Sequence, residues 1–292
     1  MKYKGSTQKI DLIGDIHGHY LELRLLLEKL GYSLQGLNLA HPDNRKLAFV
    51  GDFINRGPQS IEVLKLVRSL HQSGDAFVVL GNHEFNLIQN LVAGNSIPDE
   101  FVPFIPWLRT LPLFLELETL RIVHAAWHFS SINILEQVLV ADDLFIKETF
   151  KKESMYKRAS QWILSGIKII IPKDLKLADR FAIPRTKGRL RWWLDLRGKP
   201  YSECLFSPMF PEISDRGPTE TEVSMLEPYI RCEKPVFIGH YCLPPNMAKI
   251  YGQVVCLDGC VTCDKRLWGY RHEGEHTPDA SNLIQVKLEK FS

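Results

Sequence analysis

The stretch "LAFVGDFINRGPQS", residues 47–60, decides the fold. Leu47 to Val50 is an unbroken apolar run, as expected of a buried strand. Gly51 then opens a loop and Asp52 sets a carboxylate at the strand end. Gly57 and Pro58 turn the chain into a helix from about Ser60 to Leu70, with Ile61, Leu64 and Val67 on its inner side. The same grammar repeats on both flanks. Lys9 to Ile13 reads as a strand, "GDIHG" at 14–18 as its loop, and Leu23, Leu26, Leu27 and Leu30 as the stripe of a helix stopping at Gly31. Ala76 to Leu80 reads as a third strand, followed by "GNHE" at 81–84 and a helix through Glu84 to Val92. This β-α-β-α-β order predicts right-handed crossovers, with three polar loops on the carboxyl edge of one sheet.

Beyond residue 94 the texture changes. Pro98, Pro103, Pro106 and Pro112 punctuate a loop-rich passage, and "LFLELETLRIVH" (113–124) predicts two strands around a turn at Glu118 and Thr119. Residues 130–234 read as a basic, aromatic insertion or lid. Three further strands are expected in 235–240, 253–259 and 282–288, while 256–271 reads as a loop. The expected organisation is one domain over 1–292, long enough at 292 residues and 45% hydrophobic to bury a large core. No apolar run approaches the roughly 20 residues of a membrane span, and no signal-peptide core is visible, so the expected location is cytoplasmic. Reduced thiols are accordingly expected for Cys204, Cys232, Cys242, Cys256, Cys260 and Cys263. A zinc site on the Cys256, Cys260 and Cys263 cluster is the weaker alternative, since no second paired set follows.

The net charge of +2 hides an asymmetry. Residues 147–199 hold 15 Lys and Arg against 5 Asp and Glu, a local +10 that leaves −8 for the remainder. That segment is a candidate anion-facing surface, the bland alternative being a solvated basic face.

Chemistry gathers at the strand ends. Asp15 and His17, two apart, project to one face of an extended strand end, where carboxylate and imidazole can share a cation. Asp52 can bridge two cations with its two oxygens. Asn82 offers a neutral oxygen. His124 and His240 close "RIVH" and "VFIGH". A single such histidine is ordinarily a hydrogen-bonded core residue, and His128 competes with His124. Six donors, each at a strand terminus, are poorly explained by coincidence.

"GDIHG", "GDFINRG" and "GNHE", followed by His124 and the Gly239-His240 pair, resemble the calcineurin-like metallophosphoesterases. The nearest likeness is to the phosphoprotein phosphatase branch, with its bacterial serine/threonine phosphatases and symmetrical diadenosine tetraphosphate hydrolases. The resemblance is tight over 9–93, loose over 113–128 and 235–270, and hardly touches 130–234. It implies an α/β fold, a four-layer α-β-β-α sandwich with an inserted lid region, around a dinuclear site. Asp15, His17 and Asp52 would hold one metal, and Asp52, Asn82, His124 and His240 the other. Two divalent ions, Mn²⁺ before Fe or Zn, would activate a bridging hydroxide for in-line attack on a phosphate monoester. Arg56 would grip phosphate oxygens through its guanidinium fork, and His83 would protonate the leaving oxygen.

One departure stands out. The family usually carries G-D-x-x-D-R-G, and here the second aspartate is Asn55. Its amide oxygen can still accept the imidazole N–H of His83, but it supplies no charge to favour imidazolium. Good leaving groups are therefore expected to be favoured over alkyl phosphates. Two other readings compete: a dinucleoside polyphosphate hydrolase, with Arg189 and Arg191 gripping phosphates and Trp192 and Trp193 stacking a base or merely packing, and a weakly active metal- and phosphate-binding regulatory protein. The expected partner is a phosphorylated anion, whether small molecule, nucleotide or phosphoprotein. Neither a membrane nor sequence-specific nucleic-acid binding is expected, because the basic residues form no reading motif.

Overall fold

The computed structural model describes residues 9–175, 177–178, 183–206, 216–229 and 233–288. Two five-stranded sheets form its centre. In chain order the strands of these two sheets and of one further pair are β1 (Ile10–Ile13), β2 (Lys46–Phe49), β3 (Ala76–Val78), β4 (Phe114–Glu116), β5 (Arg121–Val123), β6 (Lys168–Ile170), β7 (Lys187–Arg189), β8 (Val236–Ile238), β9 (Ile250–Tyr251), β10 (Val254–Cys256), β11 (Arg266–His272) and β12 (Leu283–Lys287). One sheet runs β12-β11-β1-β2-β3 and the other β9-β10-β8-β5-β4. β6 and β7 form a separate antiparallel pair within the insertion.

Alternation decides which side chains meet. Leu12, paired with Ala48 and Tyr270, faces Ile122, Phe237 and Val255 across the sandwich interior. Their neighbours Ile13, Phe49, Val236 and Ile238 point the other way, into the larger core beneath the covering elements. On the first sheet the covers include α1 (Tyr20–Lys29), α2 (Ser60–Ser73) and α3 (Asn82–Val92). α1 buries the predicted Leu23, Leu26 and Leu27, and α2 buries Val63, Leu64, Val67 and Leu70 before ending at Gly74, whose φ of 82° supplies a left-handed cap.

The insertion contributes α4 (Phe129–Leu135), α5 (Asp143–Glu148) and α6 (Met155–Ser165). Ile132, Phe145, Ile163, Trp192 and Trp193 are buried in the common core, and Ala125 N–H donates to the Ile163 carbonyl at 2.8 Å. The described part of 130–234 thus packs as a covering layer. Trp192 and Trp193 meet edge to face at 5.5 Å, and Trp192 is only 1% exposed, so the pair serves packing rather than base stacking.

Residues 256–271 depart from expectation. Only their first part is loop and a short helical turn, whereas Arg266–His272 is the long strand β11, hydrogen-bonded between β1 and β12. Arginines at both ends and Gly269 in the middle mask its alternation in sequence, yet Leu267 and Tyr270 are buried.

Candidate active site

β1, β2 and β3 run parallel in one sheet, and β5, β8 and β10 in the other. Each strand's carboxyl end delivers one polar group or pair: Asp15 with His17, Asp52, Asn82, His124, His240 and Asp258. Convergence follows from topology. Asp52 Oδ2 lies 3.5 Å from His17 Nε2 and 3.4 Å from His124 Nε2, standing between two donor groups. Asn82 Oδ1 lies 3.1 Å from His124 Nε2 and 2.8 Å from His240 Nδ1. Asp15 Oδ2 is 4.0 Å from His17 Nε2 and accepts the His240 backbone N–H at 2.9 Å. All six predicted donors therefore converge on one centre, and His128 does not: it caps α4 through Ser131 and faces the Met225 carbonyl.

The backbone is bent to make this cage. His17, Asp52, Asn55, Arg56 and His240 all have φ between 45° and 72°, a region non-glycine residues rarely occupy. Two glycines admit the carboxylates. A Cβ on Gly239 would lie 1.8 Å from Asp15 Oδ1, and one on Gly81 would lie 2.1 Å from Asp52 Oδ1.

Hydrogen bonds fix which histidine nitrogen is offered. His124 Nδ1–H donates to the Val50 carbonyl at 2.8 Å and His17 Nδ1–H to that of Ile54 at 3.1 Å, turning both Nε2 atoms inward. Burial, Asp258 and Asp52 push the Asp15 carboxyl well above the usual range. Burial also opposes the charge of Asp52, but His124, His17 and His83 outweigh it and hold that carboxyl low. Burial, then Arg189 and His124, keep His240 neutral. Asp15 Oδ1 is buried without a hydrogen-bond partner. An orphaned carboxylate oxygen among converging imidazole, carboxylate and amide donors fits divalent cations.

His83 opens α3 beside this cage. Burial lowers its pKa to about 4, with Asp52 opposing and nearby cations reinforcing. Asn55 meets it: its side-chain amide lies 2.8 Å from His83 Nδ1. Arg56 Nη2 lies 3.4 Å from His83 Nε2, so guanidinium and imidazole share one approach. Arg189 is placed close enough to depress His240, and its Nε is buried without a partner. Arg191 instead donates Nε to the Leu205 carbonyl at 3.2 Å, within the insertion.

Two residues escaped the sequence reading. Glu84 is fully buried and accepts the backbone N–H groups of Gly81 and Asp52 on one oxygen and of Phe53 and Ile54 on the other. Its signal was a glycine followed three residues later by glutamate at the strand-helix junction, the position from which a carboxylate reaches back to the N-cap N–H. Asp258 accepts Cys242 N–H at 2.6 Å and Cys260 N–H at 2.8 Å, tying the His240 loop to its neighbour. The same two loops are joined by a Cys242–Cys260 disulfide, overturning the expectation of reduced thiols there. Adjacent parallel strands β8 and β10 bring the two Cα atoms to 4.3 Å, a proximity that sequence separation conceals. Cys204 and Cys256 are buried thiols as expected, Cys263 is exposed, and Cys232 lies outside the described residues.

The donor cage and sandwich agree with the comparisons to known proteins. The chain matches the calcineurin-like phosphoesterase family over residues 8–200. It belongs to that family. The asymmetrical bis(5'-nucleosyl)-tetraphosphatase PrpE of Geobacillus sp. (strain WCH70) is 52% identical over 75 residues, which is 26% of this chain and 31% of that one. Its counterpart from Oceanobacillus iheyensis is 44% identical over 92 residues, 32% and 36% of the two chains. The chain thus spans about a third of the length of the curated relatives it matches. These relatives are named as asymmetrical enzymes, where the sequence motifs resemble the symmetrical ones. Among solved structures, a cold-active protein tyrosine phosphatase superposes with a TM-score of 0.53 at 18% identity, covering 94% of this chain and 80% of that one. A Saccharomyces cerevisiae protein serine/threonine phosphatase gives 0.50 at 16% identity, covering 100% and 84%. At such identities the likeness is one of fold. Among the described residues no helix is long and apolar enough to cross a membrane.

Proposed function

We propose that this protein is a cytoplasmic, metal-dependent phosphoesterase that hydrolyses phosphate monoesters. The observation that carries the reading is Asp52 Oδ2, within 3.5 Å of His17 Nε2 on one side and His124 Nε2 on the other. Asp15, His17 and Asp52 would hold one divalent ion, and Asp52, Asn82, His124 and His240 a second. Donors that are all nitrogen and oxygen, with no thiolate, favour manganese or iron, manganese first. Such ions supply Lewis acidity, activating water and neutralising phosphoryl charge.

The chain's own groups do the rest. Arg56 presents a fork matched to two phosphoryl oxygens, and Arg189 adds a second cation whose buried Nε awaits an acceptor. His83 gives up a proton to the leaving oxygen, and Asn55 orients its imidazole. A neutral imidazole is a weaker acid than imidazolium, which suits good leaving groups. Chelator-stripped protein assayed on p-nitrophenyl phosphate should gain activity with added Mn²⁺, and Asp52→Asn should abolish it. Metal-independent turnover, or an active Asp52→Asn variant, would overturn the reading.

A second reading, a dinucleoside polyphosphate hydrolase, is favoured by the β6/β7 pair. Lys168 and Arg189 stand directly opposite one another there. Like charges so placed repel, and an anion lying between them relieves the cost. Lys187 lies on the same strand as Arg189, so more cations flank the site than a single phosphoryl group requires.

A further inference from the structure

Three cysteines form a second cluster outside the donor cage. Cys242, in the loop after β8, meets Cys260 and Cys263, in the turn after β10, with the three Sγ atoms within 4.8 Å of one another. Two of them are joined as the Cys242–Cys260 disulfide, and Cys263 is an exposed free thiol. Cys256 stands apart from the cluster: its Sγ donates to the Gly239 carbonyl at 3.7 Å, in the core.

The S–S bond is not all that gathers these residues. Asp258 accepts Cys242 N–H on Oδ2 and Cys260 N–H on Oδ1. The Cys260 carbonyl in turn accepts Cys263 N–H at 2.9 Å and Asp264 N–H at 2.8 Å. None of these bonds involves sulfur, so reducing the disulfide leaves the three thiols held side by side. In a reducing compartment a disulfide is normally transient, and the reduced form belongs to the working life of the protein.

We infer that Cys242, Cys260 and Cys263, once reduced, form a three-thiolate site for a soft divalent cation of the zinc class, with the disulfide as its closed state. Zn–S bonds of about 2.3 Å at tetrahedral angles set sulfurs about 3.8 Å apart, which side-chain rotation reaches from the present cluster. A dithiol reductant supplies two electrons to open the S–S bond, each sulfur takes up a proton, and the reductant leaves as a disulfide. The entering cation then displaces the thiol protons to solvent. Exposure of Cys263 leaves a side open for water as the fourth ligand. Thiolates select the zinc class over manganese, so this site and the nitrogen-and-oxygen cage choose different ions. Cys242 lies two residues after His240, which places the site on a loop that also feeds the cage. The inference rests on the proposed cytoplasmic placement and not on which ester is cleaved.

The test titrates the full chain, loaded with Mn²⁺ and reduced with a phosphine, with Co²⁺ as the spectroscopic stand-in for zinc. Thiolate-to-cobalt charge transfer in the near ultraviolet reports sulfur ligation, which a cage without sulfur cannot produce. The band should appear on adding Co²⁺, vanish when Zn²⁺ displaces it, and be absent from unreduced protein. Cys263→Ser, a change at an exposed position, should weaken Co²⁺ binding at least about tenfold, and Cys242→Ser should do the same. No band in reduced protein that circular dichroism shows to be folded, or a band undiminished by Cys263→Ser, overturns the site. So does peptide mapping that finds a Cys260–Cys263 disulfide without bound metal, which would make the cluster a thiol-exchange pair instead.

Discussion

Asp52 and Glu84 are held in reciprocal register: Glu84 Oε2 accepts the Asp52 backbone N–H at 2.9 Å, while Asp52 Oδ1 accepts the N–H of His83 at 3.0 Å, one residue before Glu84. A strand end and a helix start are thereby locked to each other. Burial, with Asp52 nearby, raises the Glu84 carboxyl to about 7.

Glu84→Gln turns one accepting oxygen into an N–H₂ that faces donors. At least one backbone N–H then loses its partner in the core, for a cost of about 2 kcal/mol. Urea unfolding should show that loss, and hydrolysis should fall with it because the 51–54 loop carries Asp52. Unchanged stability would mean the four N–H groups find other acceptors.

Asn55→Asp should raise the His83 pKa, since a carboxylate beside Nδ1 stabilises imidazolium. A stronger acid matters most for poor leaving groups. Rates on aryl phosphates of graded leaving-group pKa should therefore depend less steeply on that pKa in the variant. Identical slopes in both proteins would remove Asn55 from the control of His83.

Desolvation beside Arg189, Lys187 and Arg185 lowers Lys168 to about 8. Below that pH the ammonium is charged and attracts a polyphosphate; as pH rises through it, binding must take up a proton and weakens. KM for a dinucleoside polyphosphate should climb above about pH 8, and Lys168→Met should flatten the climb while raising KM at pH 7 roughly tenfold, about 1.4 kcal/mol. A pH-independent KM would place Lys168 away from the substrate.

The disulfide closes a separation of 18 residues, worth about 3 kcal/mol in chain entropy. Cys242→Ser with Cys260→Ser should lower Tm by that measure. Turnover should persist, because Asp258 still holds both loop amides. A drop in kcat matching the drop in stability would give the bridge a direct part in aligning His240.

How much of this was legible in sequence depended on whether the determinant was local. Each donor follows an apolar run, and all but His124 a glycine as well, so Asp15, Asp52, Asn82, His124 and His240 could be placed on strand ends one at a time, and parallel topology gathered them. β11 was hidden because its partners lie far away in sequence: Tyr270 pairs with Leu12, and the strand's own charges and glycine blur its period. The Cys242–Cys260 pairing likewise needs the knowledge that β8 and β10 are neighbours. The contact between Asn55 and His83 depends on side-chain packing, which no motif encodes.

The donor cage draws on both halves of the sandwich, four residues from the loops after β1, β2 and β3 and two from the ends of β5 and β8. Whatever fills it acts as a rivet through two plates. Occupancy and sheet-to-sheet cohesion are therefore one equilibrium, so metal starvation should shorten the lifetime of the folded chain as well as its activity.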